Sequence, residues 1–115
     1  MDKHSLSLVG DQTLGHLDLG ELDRLSVQDA SDIIAQVFRV VYIDGSVECR
    51  TLDLDRYVLE RPNETGLFGY ERRSLWNEQS LAKLFLLGGF GRVWVGHVPE
   101  YGDYMLYVKA VRLES

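Results

Sequence analysis

Four arginines flank a short loop around Pro62, and they are the side chains in this sequence best suited to binding an anion. They are Arg56, Arg61, Arg72 and Arg73, with Glu60, Glu64 and Glu71 beside them. A guanidinium group donates paired hydrogen bonds to phosphate or carboxylate oxygens, so this loop could hold an anionic ligand. Because each arginine has a neighbouring acid, internal ion pairs are the favoured interpretation.

A glycine-rich run, Gly88-Gly89-Phe90-Gly91, is the second feature that could bind phosphate. It lacks the Lys-Ser/Thr ending of a P-loop. The lysine and aspartates that a kinase places downstream of its phosphate loop are also missing from the short remainder of the chain. The run therefore predicts the end of a helix followed by a tight turn into a strand.

Cysteine and histidine residues are sparse, which argues against a nucleophilic or metal site. Cys49 is the only cysteine, and its place on the expected core face of a strand indicates an inert buried thiol. His4, His16 and His97 lie far apart and form no closely spaced pair of ligands. The sequence predicts no catalytic residue, no cofactor and no metal, and it favours a non-enzymatic protein over an enzyme.

The net charge of −6 is concentrated near the start of the chain. Residues 1–35 hold seven acidic and two basic residues. Direct nucleic-acid binding is not expected, because it depends on neutralising phosphates with basic side chains. An acidic surface favours a basic partner protein, and the acids expected to contact it are Asp18, Glu21, Asp23 and Asp29.

Aromatic residues are dense near the end of the chain, where Trp94, Tyr101, Tyr104 and Tyr107 lie close together in sequence. Packing in the core accounts for some of them. Tyrosine and tryptophan at a surface are typical anchors of protein interfaces. Two interpretations stay open, core packing alone or core packing with an interface formed by Trp94, Tyr101 and Tyr104.

Spacing and turn chemistry predict the elements that position these groups. A helix is expected from about Val27 to Gln36, capped by Ser26. The pair Asp44-Gly45 predicts a hairpin over Val37–Leu52. A second helix, capped by Ser74 or Asn77, ends near Leu87. Strands Arg92–Val98 and Tyr104–Leu113 close the chain, whereas the leucine-rich stretch before Ser26 is expected to be irregular.

The 115 residues fit a single domain, residues 1–115. It comprises an acidic leucine-rich segment, 1–25, and a helix–hairpin–loop–helix–hairpin body, 26–115. The predicted fold is α+β, a single two-layer domain with a mainly antiparallel sheet and two helices packed on one face. No apolar run is long enough to span a membrane, and a lone cysteine suits the cytoplasm.

These observations predict a non-enzymatic interaction module that blocks a basic surface of a partner protein. Small acidic inhibitors, immunity proteins, chaperones and phage-encoded or bacterial accessory proteins have this profile. Association would be steered by the acids and anchored by the aromatics. The alternative is a small-ligand or nucleotide-binding domain, with or without enzymatic activity, that uses the Arg56–Arg73 loop and the Gly88–Gly91 turn. The sequence does not indicate the oligomeric state.

Overall fold

The computed structural model describes residues 8–55, 73–101 and 104–113. The strands are β1 (Leu14–Glu21), β2 (Val41–Leu52), β3 (Arg92–Gly96) and β4 (Met105–Val111). The helices are α1 (Val27–Val40) and α2 (Glu78–Leu87), with short 3-10 helices at Leu22–Arg24 and Pro99–Tyr101. No helix in the described part of the chain is long and apolar enough to cross a membrane.

The strands form one mixed sheet in the order β1-β2-β4-β3. β1 runs parallel to β2, whereas β4 runs antiparallel to both β2 and β3. β1, β2 and β3 therefore point in the same direction, and their carboxyl ends meet the amino end of β4. We call this side of the sheet, with the residues that follow β1, β2 and β3, the carboxyl edge.

Both helices pack on one face of the sheet. Every second residue of β2 and β4 faces them. On this buried face Val47 lies beside Ala110, and Cys49 lies beside Val108, on the neighbouring strand. The remaining core side chains come mainly from the helices and the chain that follows α2: Ile33, Ile34, Val37, Leu81, Phe85 and Phe90. The predicted small α+β fold, with two helices on a mostly antiparallel sheet, is confirmed, and the sheet contains one parallel pair.

Side-chain caps begin both helices. The Ser26 hydroxyl accepts a hydrogen bond from the Asp29 amide at 3.1 Å, as its position predicted. Of the two candidates for the second cap, Asn77 is the one used, and it forms a capping box with Ser80. The Ser74 hydroxyl instead accepts from the Trp76 indole at 2.7 Å.

The predicted hairpin over Val37–Leu52 is wrong. Its first residues complete the last turn of α1, and the rest form the uninterrupted strand β2. A type I′ turn requires positive φ at both central residues. Asp44 has a positive φ of 69°, but Gly45 does not have a positive φ. The pair therefore does not form a type I′ turn.

Asp44 and Gly45 form a bulge in place of a turn. The register shifts here, since β1 advances from Leu14 to His16 while β2 advances from Val41 to Ser46. A bulge absorbs extra residues in one strand and increases the local twist. The Asp-Gly signal thus identified a position of unusual backbone conformation but not its topology.

The leucine-rich stretch is also different from the expectation, because Leu14–Glu21 forms the edge strand β1. Leu17 and Leu19 face the core, and Gly20 takes a φ of 72° near the end of the strand. The parallel partner β2 supplies the hydrogen bonds that hold this segment extended. Local alternation across two leucines was too short a signal to separate strand from helix.

Buried Arg112 joins the end of β4 to the end of α1. Its guanidinium donates to the carbonyls of Phe38 at 2.7 Å and Val41 at 2.9 Å, and lies 4.4 Å from the centre of the Phe38 ring. These carbonyls lie where a helix leaves its last acceptors unsatisfied. A cation here also complements the negative end of the helix dipole.

Replacing Gly45 with alanine should lower the free energy of unfolding by about 1–3 kcal/mol. A β-carbon there would lie 2.5 Å from a Val41 methyl carbon and 2.9 Å from the Gly15 carbonyl oxygen. Gly15→Ala is the matched control, because a β-carbon at Gly15 would have nothing within 4 Å. Urea unfolding measures both, and equal effects of the two substitutions would contradict the close approach of β1 to the bulge.

Candidate functional site

Asp23 organises the carboxyl edge of the sheet. It follows β1 and is 2 % exposed. Its carboxylate accepts a hydrogen bond from the Leu52 amide at 3.1 Å, and its carbonyl accepts from the amide of Arg73 at 2.7 Å. One residue therefore fixes the end of β1 to the end of β2 and to the chain that leads into α2.

A cleft opens beside the carboxyl end of β1. Its volume is about 390 Å³, within the usual range for small-molecule sites. We call it the β1 cleft; it is lined by Leu19, Glu21, Arg24, Leu25, Ile33 and Arg50. The leucines and Ile33 provide an apolar wall, and two guanidinium groups and one carboxylate provide the polar part of the lining.

Ion pairs position both arginines of the β1 cleft. Arg24 donates from Nε to a Glu21 carboxylate oxygen at 3.0 Å, and Arg50 Nη1 lies 3.8 Å from an Asp18 oxygen. These pairs orient the guanidinium groups at the cleft.

A second cluster of polar side chains lies further along the carboxyl edge. Asp53 follows β2, Glu78 begins α2 and His97 follows β3. His97 Nε2 lies 2.9 Å from a carboxylate oxygen of Asp53, which is 5 % exposed. His97 Nδ1 is also buried and has no hydrogen-bond partner among the residues that the structure describes.

The four acids expected to bind a partner do not form one surface. Asp23 is buried, and Asp29 is partly buried in the first turn of α1. Asp18 and Glu21 are exposed, but Asp18 accepts the Gly20 amide at 2.8 Å and Glu21 pairs with Arg24. The chain thus uses Asp23 to hold its own backbone, a role that the sequence analysis missed.

The aromatic residues are divided between different environments. Trp94 is 51 % exposed on the sheet face away from the helices, where its ring centre lies 6.0 Å from that of Tyr107. Tyr104 is half-buried, and its carbonyl accepts the Asp53 amide at 2.7 Å. Tyr101 ends a 3-10 helix, and its side chain lies outside the described residues.

The small-ligand alternative depends on the Arg56–Arg73 loop and the Gly88–Gly91 turn, and the structure describes the turn but not most of the loop. Arg56, Arg61 and Arg72 lie outside the described residues. The Gly88–Gly91 turn ends α2 and enters β3, as predicted, but it is packed rather than open. A β-carbon on Gly88 would lie 2.5 Å from Ile34, and one on Gly91 would lie 2.7 Å from Leu113.

Solved structures of similar fold come mainly from methyltransferases. A SAM-dependent methyltransferase from Archaeoglobus fulgidus has a TM-score of 0.74 at 8 % identity, over 95 % of this chain and 64 % of that one. An O-methyltransferase family protein from Burkholderia thailandensis has a TM-score of 0.67 at 14 % identity, over 96 % and 33 %. The 1,6-didemethyltoxoflavin-N1-methyltransferase of that organism, with S-adenosylhomocysteine bound, has 0.64 at 17 %, over 95 % and 48 %.

This chain therefore spans between 33 % and 64 % of the length of those neighbours. No protein-family model and no curated protein sequence matches it. At these identities the likeness establishes the fold.

The fold contradicts the expected interaction module. Inhibitors, immunity proteins, chaperones and phage-encoded antagonists that block a basic protein surface were expected, whereas most of the similar structures are named as methyltransferases. The findings agree better with the small-ligand alternative than with a module that blocks a basic protein surface. The error arose because the excess of acids was interpreted as one surface, although Asp23 is buried.

The described residues do not form a glycine-rich cradle for SAM. Folds that bind nucleotide-type cofactors use a glycine turn between a strand and a helix, open toward the ligand. The Gly88–Gly91 turn connects a helix to a strand, and the side chains of Ile34 and Leu113 occupy the space in front of Gly88 and Gly91. We therefore assign no SAM-binding role to the glycines of this turn.

Cys49 should react slowly with thiol reagents in the native protein and rapidly after unfolding. Burial, and secondly the negative charge of Asp18, raise the pKa of the thiol, so it stays protonated at neutral pH. Because the sequence has one cysteine, colour release from a disulfide reagent reports this residue alone. Equal rates for native and urea-unfolded protein would contradict the burial.

Replacing Asp23 with alanine should lower the free energy of unfolding by about 1–3 kcal/mol, because the buried Leu52 amide loses its acceptor. Asp11→Ala is the matched control: that side chain is 74 % exposed and pairs with Arg39. The control should change stability by less than about 0.5 kcal/mol. Similar losses in the two variants would show that Asp23 does not hold the edge together.

Proposed function

We propose that this chain is a small-molecule-binding domain of the methyltransferase type, and that its ligand occupies the β1 cleft. The observation that carries the proposal is the position of the cleft beside the carboxyl end of β1. Open sheets with parallel strands bind ligands outside the carboxyl ends of those strands. The methyltransferase names of the similar structures support a small molecule as the ligand class.

The lining of the β1 cleft selects the chemistry of the ligand. Leu19, Leu25 and Ile33 offer an apolar wall suited to a ring or short aliphatic body. Arg24 and Arg50 offer positive charge and hydrogen-bond donors. The ligand that fits both is a small aromatic or aliphatic molecule with a carboxylate or phosphate group.

The shape and lining of the β1 cleft support binding of a small molecule, and we propose binding without methyl transfer. Transfer needs SAM beside the acceptor, and the described residues contain no glycine-rich cradle for it. Glu21 also lines the cleft and is a hydrogen-bond acceptor for a ligand hydroxyl or amine. A ligand with both an anionic group and a neutral donor would use every polar side chain of the lining.

A screen of aromatic carboxylates and phosphates by protein-observed NMR tests the proposal. Binders should shift the amides of residues 19–25 and 50. Arg24→Gln and Arg50→Gln should each weaken binding about tenfold or more, the usual effect of losing a charge-assisted hydrogen bond. Arg92→Gln removes the same charge from an exposed position on β3 and should leave affinity unchanged.

Two results would contradict the β1 cleft as the ligand site. One is that no compound of these classes binds at millimolar concentration. The other is that Arg92→Gln weakens binding as much as Arg24→Gln and Arg50→Gln do, because the effect would then come from net charge. Far-UV circular dichroism on each variant separates a loss of binding from a loss of fold.

A further inference from the structure

We propose that Asp53, Glu78 and His97 form a binding site for one divalent transition-metal ion, of which Zn²⁺ fits best. One donor atom from each residue lies within 4.8 Å of the other two. Three separate elements supply them, since the residues follow β2, begin α2 and follow β3. None of the three lines the β1 cleft, so this site does not depend on the proposed function.

The donor set determines the class of ion. One imidazole nitrogen with two carboxylate oxygens suits zinc and its neighbours, whereas Ca²⁺ and Mg²⁺ prefer oxygen ligands alone. Zinc–ligand bonds of about 2.0–2.2 Å place tetrahedral ligands roughly 3.4 Å apart. His97 Nε2 and the Asp53 oxygen lie 2.9 Å apart and would have to separate slightly, whereas the three donor atoms as a group lie within 4.8 Å of one another. Side-chain rotations would make both adjustments.

Within the Asp53, Glu78 and His97 cluster, Asp53 is held rigidly, whereas the side chain of Glu78 is able to move. Asp53 is buried, its amide donates to the Tyr104 carbonyl at 2.7 Å, and the next amide donates to the Trp76 carbonyl at 2.9 Å. Glu78 is exposed, so its side chain has room to rotate toward an ion. Three protein ligands would leave a further position for water or a small ligand, as in catalytic zinc sites.

One further observation favours an ion over a histidine–aspartate pair alone. The carboxylates of Asp53 and Glu78 approach each other, and like charges at such a distance repel unless a cation lies between them.

The positive end of the α2 dipole opposes a cation near Glu78. That effect is weak and confined to the first turn, and two full negative charges act in the other direction at similar distance. The balance therefore favours the cation. The site would use Glu78 as the exposed ligand and Asp53 as the buried one.

Titration of metal-free, tag-free protein with ZnCl₂ by isothermal calorimetry tests the site, with CoCl₂ absorption spectra as a second readout of coordination. We expect one equivalent of Zn²⁺ to bind with micromolar or tighter affinity. Glu78→Gln should weaken it at least tenfold, and His97→Gln at least a hundredfold. Glu78 is exposed, so its variant is expected to fold normally, which circular dichroism and the melting temperature would verify.

The matched control is His16→Gln. His16 lies beside a carboxylate as His97 does, with Nε2 3.5 Å from Glu48, but it is not part of the three-residue cluster. Loss of one-to-one binding in the Glu78 and His97 variants, with retention in the His16 variant, supports the site. Absence of saturable binding below millimolar Zn²⁺, retention of affinity in folded Glu78→Gln, or an equal loss in His16→Gln would overturn it.

Discussion

The carboxyl edge depends on the hydrogen bonds that the buried residue Asp23 accepts. Parallel strands lack the tight turn that joins an antiparallel pair, so their ends need separate fixing. Asp23 provides it by accepting the Leu52 amide through its side chain and the amides of Arg73 and Ser74 through its carbonyl. A buried charged group is tolerated only where such hydrogen bonds replace its hydration. Both candidate sites lie along the edge that these bonds define.

Local signals predicted the starts of both helices and the end of α2, because capping is decided within a few residues of sequence. The end of α1 lies at Val40, four residues beyond the predicted Gln36. Ser26 and Asn77 begin helices, Gly88 ends one, and the alternation in β2 placed Cys49 in the core. The same local rules failed for Asp44-Gly45. A type I′ turn and a bulge both accept residues with unusual φ, and only pairing with β1 and β4 distinguishes them.

The candidate sites were beyond sequence reasoning for a related cause. Asp53, Glu78 and His97 are far apart along the chain, and no spacing rule connects ligands that come from three different elements. Only the parallel arrangement of β1, β2 and β3 shows that residues after β2 and β3 meet. The sequence around Arg50 likewise gives no sign of a cleft, because the cleft exists only once β1 lies beside β2.

Residue type alone would direct attention to the other face of the sheet, and the geometry explains why it is less suited to chemistry. There the His16 ring lies 2.7 Å from the Ser46 hydroxyl and 3.5 Å from Glu48, which also accepts the Tyr107 hydroxyl. A serine, a histidine and an acid that contact one another in this order match the residue types of a nucleophilic triad. The row, however, projects from neighbouring strands of an open sheet face, and His16 is 48 % exposed to solvent. Water at such a surface competes for every hydrogen bond and screens developing charge. The carboxyl edge combines a cleft with buried charged groups, and this combination makes it the better candidate for function.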